Sequence, residues 1–172
     1  MKIGIHQPQY LPWIHYFMKI GECDAFVLLD SVDYQKNGLQ NRNQIKGING
    51  KTWLTIPVSS KLGEKIYDIK IVNSTNWKKK HIHTLDQFYK KSEFYNKYRN
   101  EIVNILNNDW VFLNDINTSF INKIMNWLNL KTPIYKSSQL NVNGTSTDLI
   151  IEICKKFNAD QYISGLGAKN YL

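Results

Sequence analysis

Apolar residues come in strand-length runs near both ends of the chain and at helical spacing through its middle. Ile3-Gly4-Ile5 leads directly into His6 and Gln7, so residues 2–7 predict a buried strand ending in a polar turn. Pro8 and Pro12 bound that turn. Pro12 suits the first position of a helix, where its φ already fits and no N–H is lost. Trp13, Phe17 and Ile20 follow at helical spacing, with Gly21 as the stop. Residues 25–30 are a second apolar run, closed by Asp30. Strand, helix and strand in this order make a βαβ unit, which requires a parallel pair and a right-handed crossover.

The chain then turns polar over residues 31–50, with Asn37-Gly38 and Asn49-Gly50 as turn dipeptides. Residues 40–46 predict an exposed strand that Asn49-Gly50 folds onto a second strand at 52–58, a hairpin. A further strand is expected over 66–72, where Ile69 and Ile71 alternate with Asp68 and Lys70. Beyond it the period becomes helical. Trp77, His81, Leu85 and Phe88 mark one helix face; Phe94, Tyr98, Ile102 and Ile105 a second; Ile116, Phe120, Ile124 and Trp127 a third. Residues 133–138 predict a strand. Ser146 or Thr147 is placed to cap a helix through Phe157, with Asp148 in its first turn. Residues 161–164 predict a last strand, followed by the loop Gly165-Leu166-Gly167.

The sum is an α/β chain: a Rossmann-like three-layer domain with a mostly parallel sheet, an N-terminal βαβ unit, a hairpin insertion and helices through the middle. Ligands of such sheets bind beyond the carboxyl ends of the strands. His6, Asp30 and Ser164 all fall there. At 172 residues and 42% hydrophobic, one domain over residues 1–172 with a sizeable core is expected. No run reaches the roughly 18 apolar residues of a membrane span. The start of the chain lacks the apolar segment of a signal peptide, which points to the cytoplasm.

A formal net charge of +8 invites a nucleic-acid reading, but the make-up of that charge weakens it. There are 20 Lys against 2 Arg, together with 20 Asn, the composition an AT-rich genome imposes on any protein. The run Lys78-Lys79-Lys80 sits on a helical segment and reads as a solvated face. In such a composition an Arg is expected where its planar fork is needed. Arg99 falls within a helical pattern, whereas Arg42 stands between two asparagines and is the better functional candidate. Cys23 and Cys154 form no metal-binding spacing. Cys23 as a nucleophile is disfavoured by Asp24 beside it, which would raise its pKa.

His6, at a strand end and ahead of a helix N-terminus, is a candidate general base or phosphate-oxygen donor. Asp30 would orient it or the reacting amine. Lys36 would stabilise developing negative charge. Arg42 and Lys46 suit phosphate or carboxylate recognition. Asn41, Asn43, Gln7 and Tyr10 would bond sugar or acyl oxygens, with Trp13, His81 and Ser164 as further substrate contacts. His81 shares its apolar stripe with Trp77 and Leu85, so it is buried or faces a pocket. No Walker loop, GxGxxG, HExxH or nucleophile elbow is present. No metal signature appears.

The segments His6-Gln7-Pro8-x-Tyr10-x-Pro12-Trp13 with Phe17 and Lys19-Ile20 following, Asp30-x-Val32-x-Tyr34-x-Lys36, Asn41-Arg42-Asn43-x-Ile45-Lys46, Leu54-Thr55-Ile56-Pro57-Val58, Trp77-x-x-x-His81 and Tyr162-x-Ser164-Gly165, with Gly167 and Tyr171, together resemble the WbqC-like protein family. The resemblance spans nearly the whole chain. The family carries Gly where this chain has His15, and its members continue past Leu172, so a C-terminal segment usual in the family is expected to be lacking. Members often lie in gene clusters for O-antigen and other surface polysaccharides. The resemblance implies transfer of an acyl or aminoacyl group to the amine of a nucleotide-linked deoxyamino sugar. An acyl thioester, with or without an acyl or aminoacyl carrier protein, or ATP would supply the activated group. Two alternatives are a non-catalytic binding partner of a glycosyltransferase or sugar-modifying complex, and an ATP-dependent amide-forming ligase or nucleotidyltransferase-like enzyme. The latter echoes the strand, His/Pro turn, helix and Asp-ended strand with which such enzymes begin.

Overall fold

The computed structural model describes residues 1–165. In chain order the elements are β1 (Lys2–His6), α1 (Ile14–Gly21), β2 (Ala25–Leu28), β3 (Arg42–Gly47), β4 (Gly50–Thr55), β5 (Val58–Ser59), β6 (Lys70–Ile71), α2 (Trp77–Tyr89), α3 (Tyr95–Asn107), α4 (Leu113–Trp127), β7 (Ile134–Lys136), α5 (Ser146–Lys156) and β8 (Gln161–Ile163). Single 3-10 turns lie at Ile66–Asp68 and Ser137–Gln139.

Alternation along β1 sets the layers. Ile3 and Ile5 pack with Val27 against Leu149, Ile150 and Ile153 of α5. The opposite face belongs to Phe26 and Leu28, which pack on Tyr16, Phe17 and Ile20 of α1 and on Ile121 and Met125 of α4. Gly4 faces this second side because nothing larger fits: a Cβ there would lie 2.6 Å from Cys23 Sγ and 2.7 Å from the Phe26 ring. The result is α1 and α4 on one face, α5 on the other, and a four-stranded sheet between them.

That sheet runs β7-β2-β1-β8 and every pair in it is parallel. Taken in chain order, its strands lie third, second, first, fourth, which is the Rossmann order. Its topological switch point falls between β1 and β8, and the crevice there lies beyond their carboxyl ends. Ile3 pairs with Ala25 and with Tyr162; His6 pairs with Leu28.

Between β2 and β7 the chain builds a second core on the hairpin β3–β4 and the short pair β5–β6. It gathers Leu54, Ile56, Ile69, Ile71, Trp77, Leu85, Leu106, Leu113 and Phe120 around Tyr10. The hairpin and the three middle helices therefore match the pattern read from the sequence.

Several local expectations differ. Pro12 lies before the cap, because Trp13 is the N-cap and the helix starts at Ile14. Trp13 leaves the apolar stripe and is 56% exposed, while Tyr16 takes a buried place in it. The strand over residues 40–46 is not exposed: Asn41 and Asn43 are buried, and pairing starts at Arg42. The strand at 52–58 breaks at Pro57, which has no N–H for the ladder, and Val58 changes partner to Ile71. Residues 66–72 split into a 3-10 turn and β6, with Ile66, Ile69 and Ile71 all buried. Thr145 rather than Ser146 or Thr147 is the N-cap of α5, and it makes no side-chain capping bond. Leu166 and Gly167 of the predicted loop, and Tyr171, lie outside the described residues.

Candidate functional site

A buried strand cannot end on imidazole unless the ring finds partners. His6 finds its first in the next residue: Nδ1 lies 3.1 Å from the Gln7 carbonyl oxygen. A carbonyl can only accept, so the Nδ1 hydrogen donates to it and Nε2 keeps its lone pair. Tyr16 packs edge-on against the ring at 5.0 Å between centroids. The Tyr16 hydroxyl also donates to the Gln7 carbonyl, at 3.1 Å. Burial, and to a smaller degree the positive charge of Lys19, hold the His6 pKa below its ordinary value, although the bond to Gln7 pulls the other way. The ring is a neutral base oriented by a backbone carbonyl.

His6 stands on the wall of a cavity of about 610 Å³. The cavity occupies the switch point. Ile5, His6 and Gln7 come from the end of β1, and Leu29, Ser31, Val32, Asp33 and Gln35 from the segment after β2. Gly144, Thr145 and Ser146 come from the start of α5, and Tyr162 and Gly165 from β8 and beyond. Lys19 of α1 and Lys65 complete it. Lys65 is neutralised by Asp33, with Nζ 2.7 Å from Oδ1. Lys19 donates to the Ile5 carbonyl at 2.8 Å and lies between the rings of Phe26 and Tyr162, at 5.9 and 5.7 Å. Burial lowers its pKa to about 8.

The remaining residues singled out from the sequence lie off this wall, apart from Gln7. Asp30 is fully buried and accepts four bonds, from Asn114 Nδ2, the Ser137 hydroxyl, and the backbone N–H and hydroxyl of Ser138, at 2.8–3.0 Å. It pins β2 to α4 and to the turn after β7 and makes no bond to His6; the Gln7 carbonyl orients the ring instead. Tyr10 is fully buried, with its hydroxyl 2.9 Å from His81 Nδ1. His81 Nε2 lies 3.1 Å from the Thr55 carbonyl, so Nε2 carries the hydrogen and Tyr10 donates to Nδ1. Of the two readings of His81, the structure gives the buried one.

Asn43 donates to the carbonyls of Tyr10 and Leu11 and accepts from Trp13 Nε1 and its neighbour Gln44 N–H. Asn41 donates to the Ile56 carbonyl at 2.9 Å. Arg42 stacks on Trp53, 4.4 Å from the ring centroid, and donates to the Asn37 carbonyl at 2.6 Å. Lys36 and Lys46 are exposed. Ser164 is exposed just past β8, next to Gly165 on the cavity wall. Gln7 joins the two regions: its side-chain oxygen accepts from Gln40 Nε2 at 2.6 Å while the residue lines the cavity.

The sequence places Lys19 in the family motif without assigning it a role, and does not single out Ser31, Lys65 or the 144–146 turn. Lys19 is one residue from the predicted apolar stripe, and nothing local distinguishes it from a solvated lysine. The 144–146 turn did carry a signal, a Gly-Thr-Ser stretch opening a helix that follows a strand. Burial pushes the Cys23 thiol up to about 11, which keeps it protonated and ends its case as a nucleophile. Among the described residues no group of three or more His, Cys, Asp or Glu is placed to hold a metal ion, and no helix is long and apolar enough to cross a membrane.

Fold and site together define a Rossmann-like α/β protein with a ligand-sized cavity at the switch point and a neutral histidine on its wall. The chain belongs to the WbqC-like protein family, whose model matches residues 7–172. It is 29% identical over 174 residues to an uncharacterised protein of Mycobacterium tuberculosis, an alignment that covers 99% of this chain and 75% of the relative. No solved structure matches it.

Proposed function

We propose that this protein is an enzyme of surface polysaccharide (O-antigen) biosynthesis that transfers an acyl or aminoacyl group to the amine of a nucleotide-linked deoxyamino sugar. The observation that carries this reading is His6, a neutral imidazole with a free Nε2 lone pair on the wall of the switch-point cavity. The family resemblance supplies the pathway. The cavity has the size of an ordinary small-molecule site.

Acylation of an amine needs a base, because the attacking nitrogen becomes cationic. The sugar amine adds to the carbonyl carbon of an acyl thioester. The C–N bond forms, the C–S bond breaks, and the amine proton passes to His6 Nε2 and on to the departing thiolate. Gln7 lies beside the base and would bond sugar or acyl oxygens. Asp30, Tyr10, Asn41 and Asn43 act at one remove, by fixing the elements that carry the site. The reaction belongs in the cytoplasm, with the nucleotide-linked amino sugar and an acyl or aminoacyl carrier as partners.

The test is acylation of nucleotide-linked amino sugars from acyl thioesters, read by product mass, with wild type and His6→Ala. Loss of the base should slow turnover about 10²–10⁴-fold. Undiminished turnover by His6→Ala would remove His6 from the chemistry. A second reading, ATP-driven amide formation, is favoured by the Rossmann strand order, which suits a nucleotide at the switch point. Product formation from a free acid that depends strictly on ATP would select it.

A further inference from the structure

Among the described residues the cavity wall carries one cation without a counter-charge. Lys65 is paired with Asp33, and His6 is neutral. Among the described residues no carboxylate pairs with Lys19. Its ammonium has three hydrogens, and the acceptor the structure gives it is the Ile5 carbonyl oxygen, 2.8 Å away. The rings of Phe26 and Tyr162 brace its stem and head. A half-buried charge satisfied by one neutral acceptor and two ring faces is costly to retain. An anion entering the cavity would offset that cost and take the remaining hydrogens.

We infer that Lys19 is the anion-holding residue of this cavity and that it binds a phosphate of a nucleotide-linked substrate. The inference rests on reading the cavity as the substrate site. It moves the phosphate role expected of Arg42 and Lys46 to Lys19, which the sequence places in the family motif without a role. Arg42 is committed to Trp53 and the Asn37 carbonyl, and Lys46 is exposed on the hairpin.

Phosphate, rather than a carboxylate, fits the setting. Lys19 lies at the end of β1, where nucleotide phosphates sit in sheets of this order. The start of α5 also lines the cavity, closed in by Gly144: a Cβ on that residue would lie 3.0 Å from the Leu149 backbone nitrogen. Asp148, the acid of that turn, is exposed and not on the wall. The lowered pKa of Lys19 agrees with an ammonium that lacks its counter-ion.

The experiment is calorimetric titration of the intact chain with UDP and dTDP against uridine and thymidine, using wild type, Lys19→Gln, Lys19→Arg and the exposed control Lys51→Gln. Wild type should bind a diphosphate at least about tenfold more tightly than its nucleoside. Lys19→Gln should abolish that preference, while Lys19→Arg and Lys51→Gln keep it. Equal affinity of wild type for diphosphate and nucleoside, or full diphosphate binding by Lys19→Gln, overturns the inference. In case Lys19→Gln fails to fold, wild-type Lys19 is footprinted with acetic anhydride: UDP should protect it and uridine should not, and an unprotected Lys19 sinks the idea equally. Neither readout needs turnover. Protection without acyl transfer leaves this inference standing and removes the proposed reaction; acyl transfer with Lys19 unprotected does the reverse.

Discussion

Replacing His81 by Gln should make the protein less sensitive to acid, by an amount the structure lets us work out. His81 is 4% exposed, and burial lowers its pKa to about 4 against an ordinary value near 6.5, with the Thr55 carbonyl opposing. The unfolded chain therefore takes up the proton first as pH falls. The stability carried by neutral His81 is complete above about pH 6.5 and is lost progressively down to the folded pKa. The whole difference corresponds to about 3 kcal/mol, of which about 2 kcal/mol is gone by pH 5. The cause is local. Protonation puts a hydrogen on Nδ1, where the Tyr10 hydroxyl already donates, so that hydroxyl must turn and leave its own hydrogen without a partner in a fully buried place. Glutamine can bond on both sides but does not titrate. Urea unfolding followed by far-ultraviolet circular dichroism at pH 7.5, 6.5, 5.5 and 5.0 gives stability for both proteins. Carboxylates and His6 are common to both and cancel in the difference. Wild type should lose about 2 kcal/mol more than His81→Gln between pH 7.5 and 5.0. Parallel curves, within about 0.5 kcal/mol, would refute the reasoning.

Asp30→Asn replaces an acceptor of four bonds by a group whose NH2 meets donors. It should cost about 3 kcal/mol and lower the melting temperature by about 8 °C. An unchanged melting temperature together with lost activity would instead mark Asp30 as a catalytic group. Asn43→Asp cannot donate to the carbonyls of Tyr10 and Leu11 and should destabilise by about 2 kcal/mol, seen as a lower urea midpoint with unchanged slope. The acid limb of kcat/KM should lie below the ordinary histidine value, because the His6 pKa is lowered and the base stays unprotonated further into acid. A limb above pH 6.5 would assign the base to another group.

The parallel sheet was legible because its strands announce themselves locally. Ile3-Gly4-Ile5 and Ala25 to Leu28 are short apolar runs bounded by polar turns, and their length and those turns mark them as strands. The helices of the middle were legible from their period. The bonds of Asp30 are not legible because its partners are Asn114, Ser137 and Ser138, more than eighty residues on. No local pattern tells an acid at a strand end that reaches into a cleft from one that clamps two loops. The bonds of Asn43 are hidden for a related reason. An amide satisfies backbone carbonyls as readily as a sugar, and Tyr10 and Leu11 are where the backbone has no strand or helix to use. The place of Lys19 on the cavity wall is not legible, because cavity walls are set by the angle at which a helix crosses a sheet, which the spacing of apolar residues does not record to within one position.

The two polar clusters of the N-terminal region thus divide the labour. In the first, His6 and Gln7 reach the cavity while Tyr10 is sealed in the second core against His81. In the second, Asn43 holds the carbonyls of Tyr10 and Leu11, and Gln40 holds the Gln7 side chain. Asn117 of α4 in turn donates to the Gln40 carbonyl. This makes a continuous chain of bonds from α4 through Gln40 to Gln7, beside the base. The turn from His6 to Pro12 has no ladder of its own, so its shape depends on these side chains. Leu11 within it has φ 43°, a left-handed conformation that a leucine adopts only when its surroundings compel it. Asn43 accepting from Trp13 and donating on either side of that residue is such a constraint. The Asn-Arg-Asn segment is therefore required for the site without lining it. If His6 is the base and Lys19 the phosphate contact, loss of that segment should show first as a misplaced base, with kcat falling before affinity for the nucleotide part of the substrate, because Lys19 belongs to a different element.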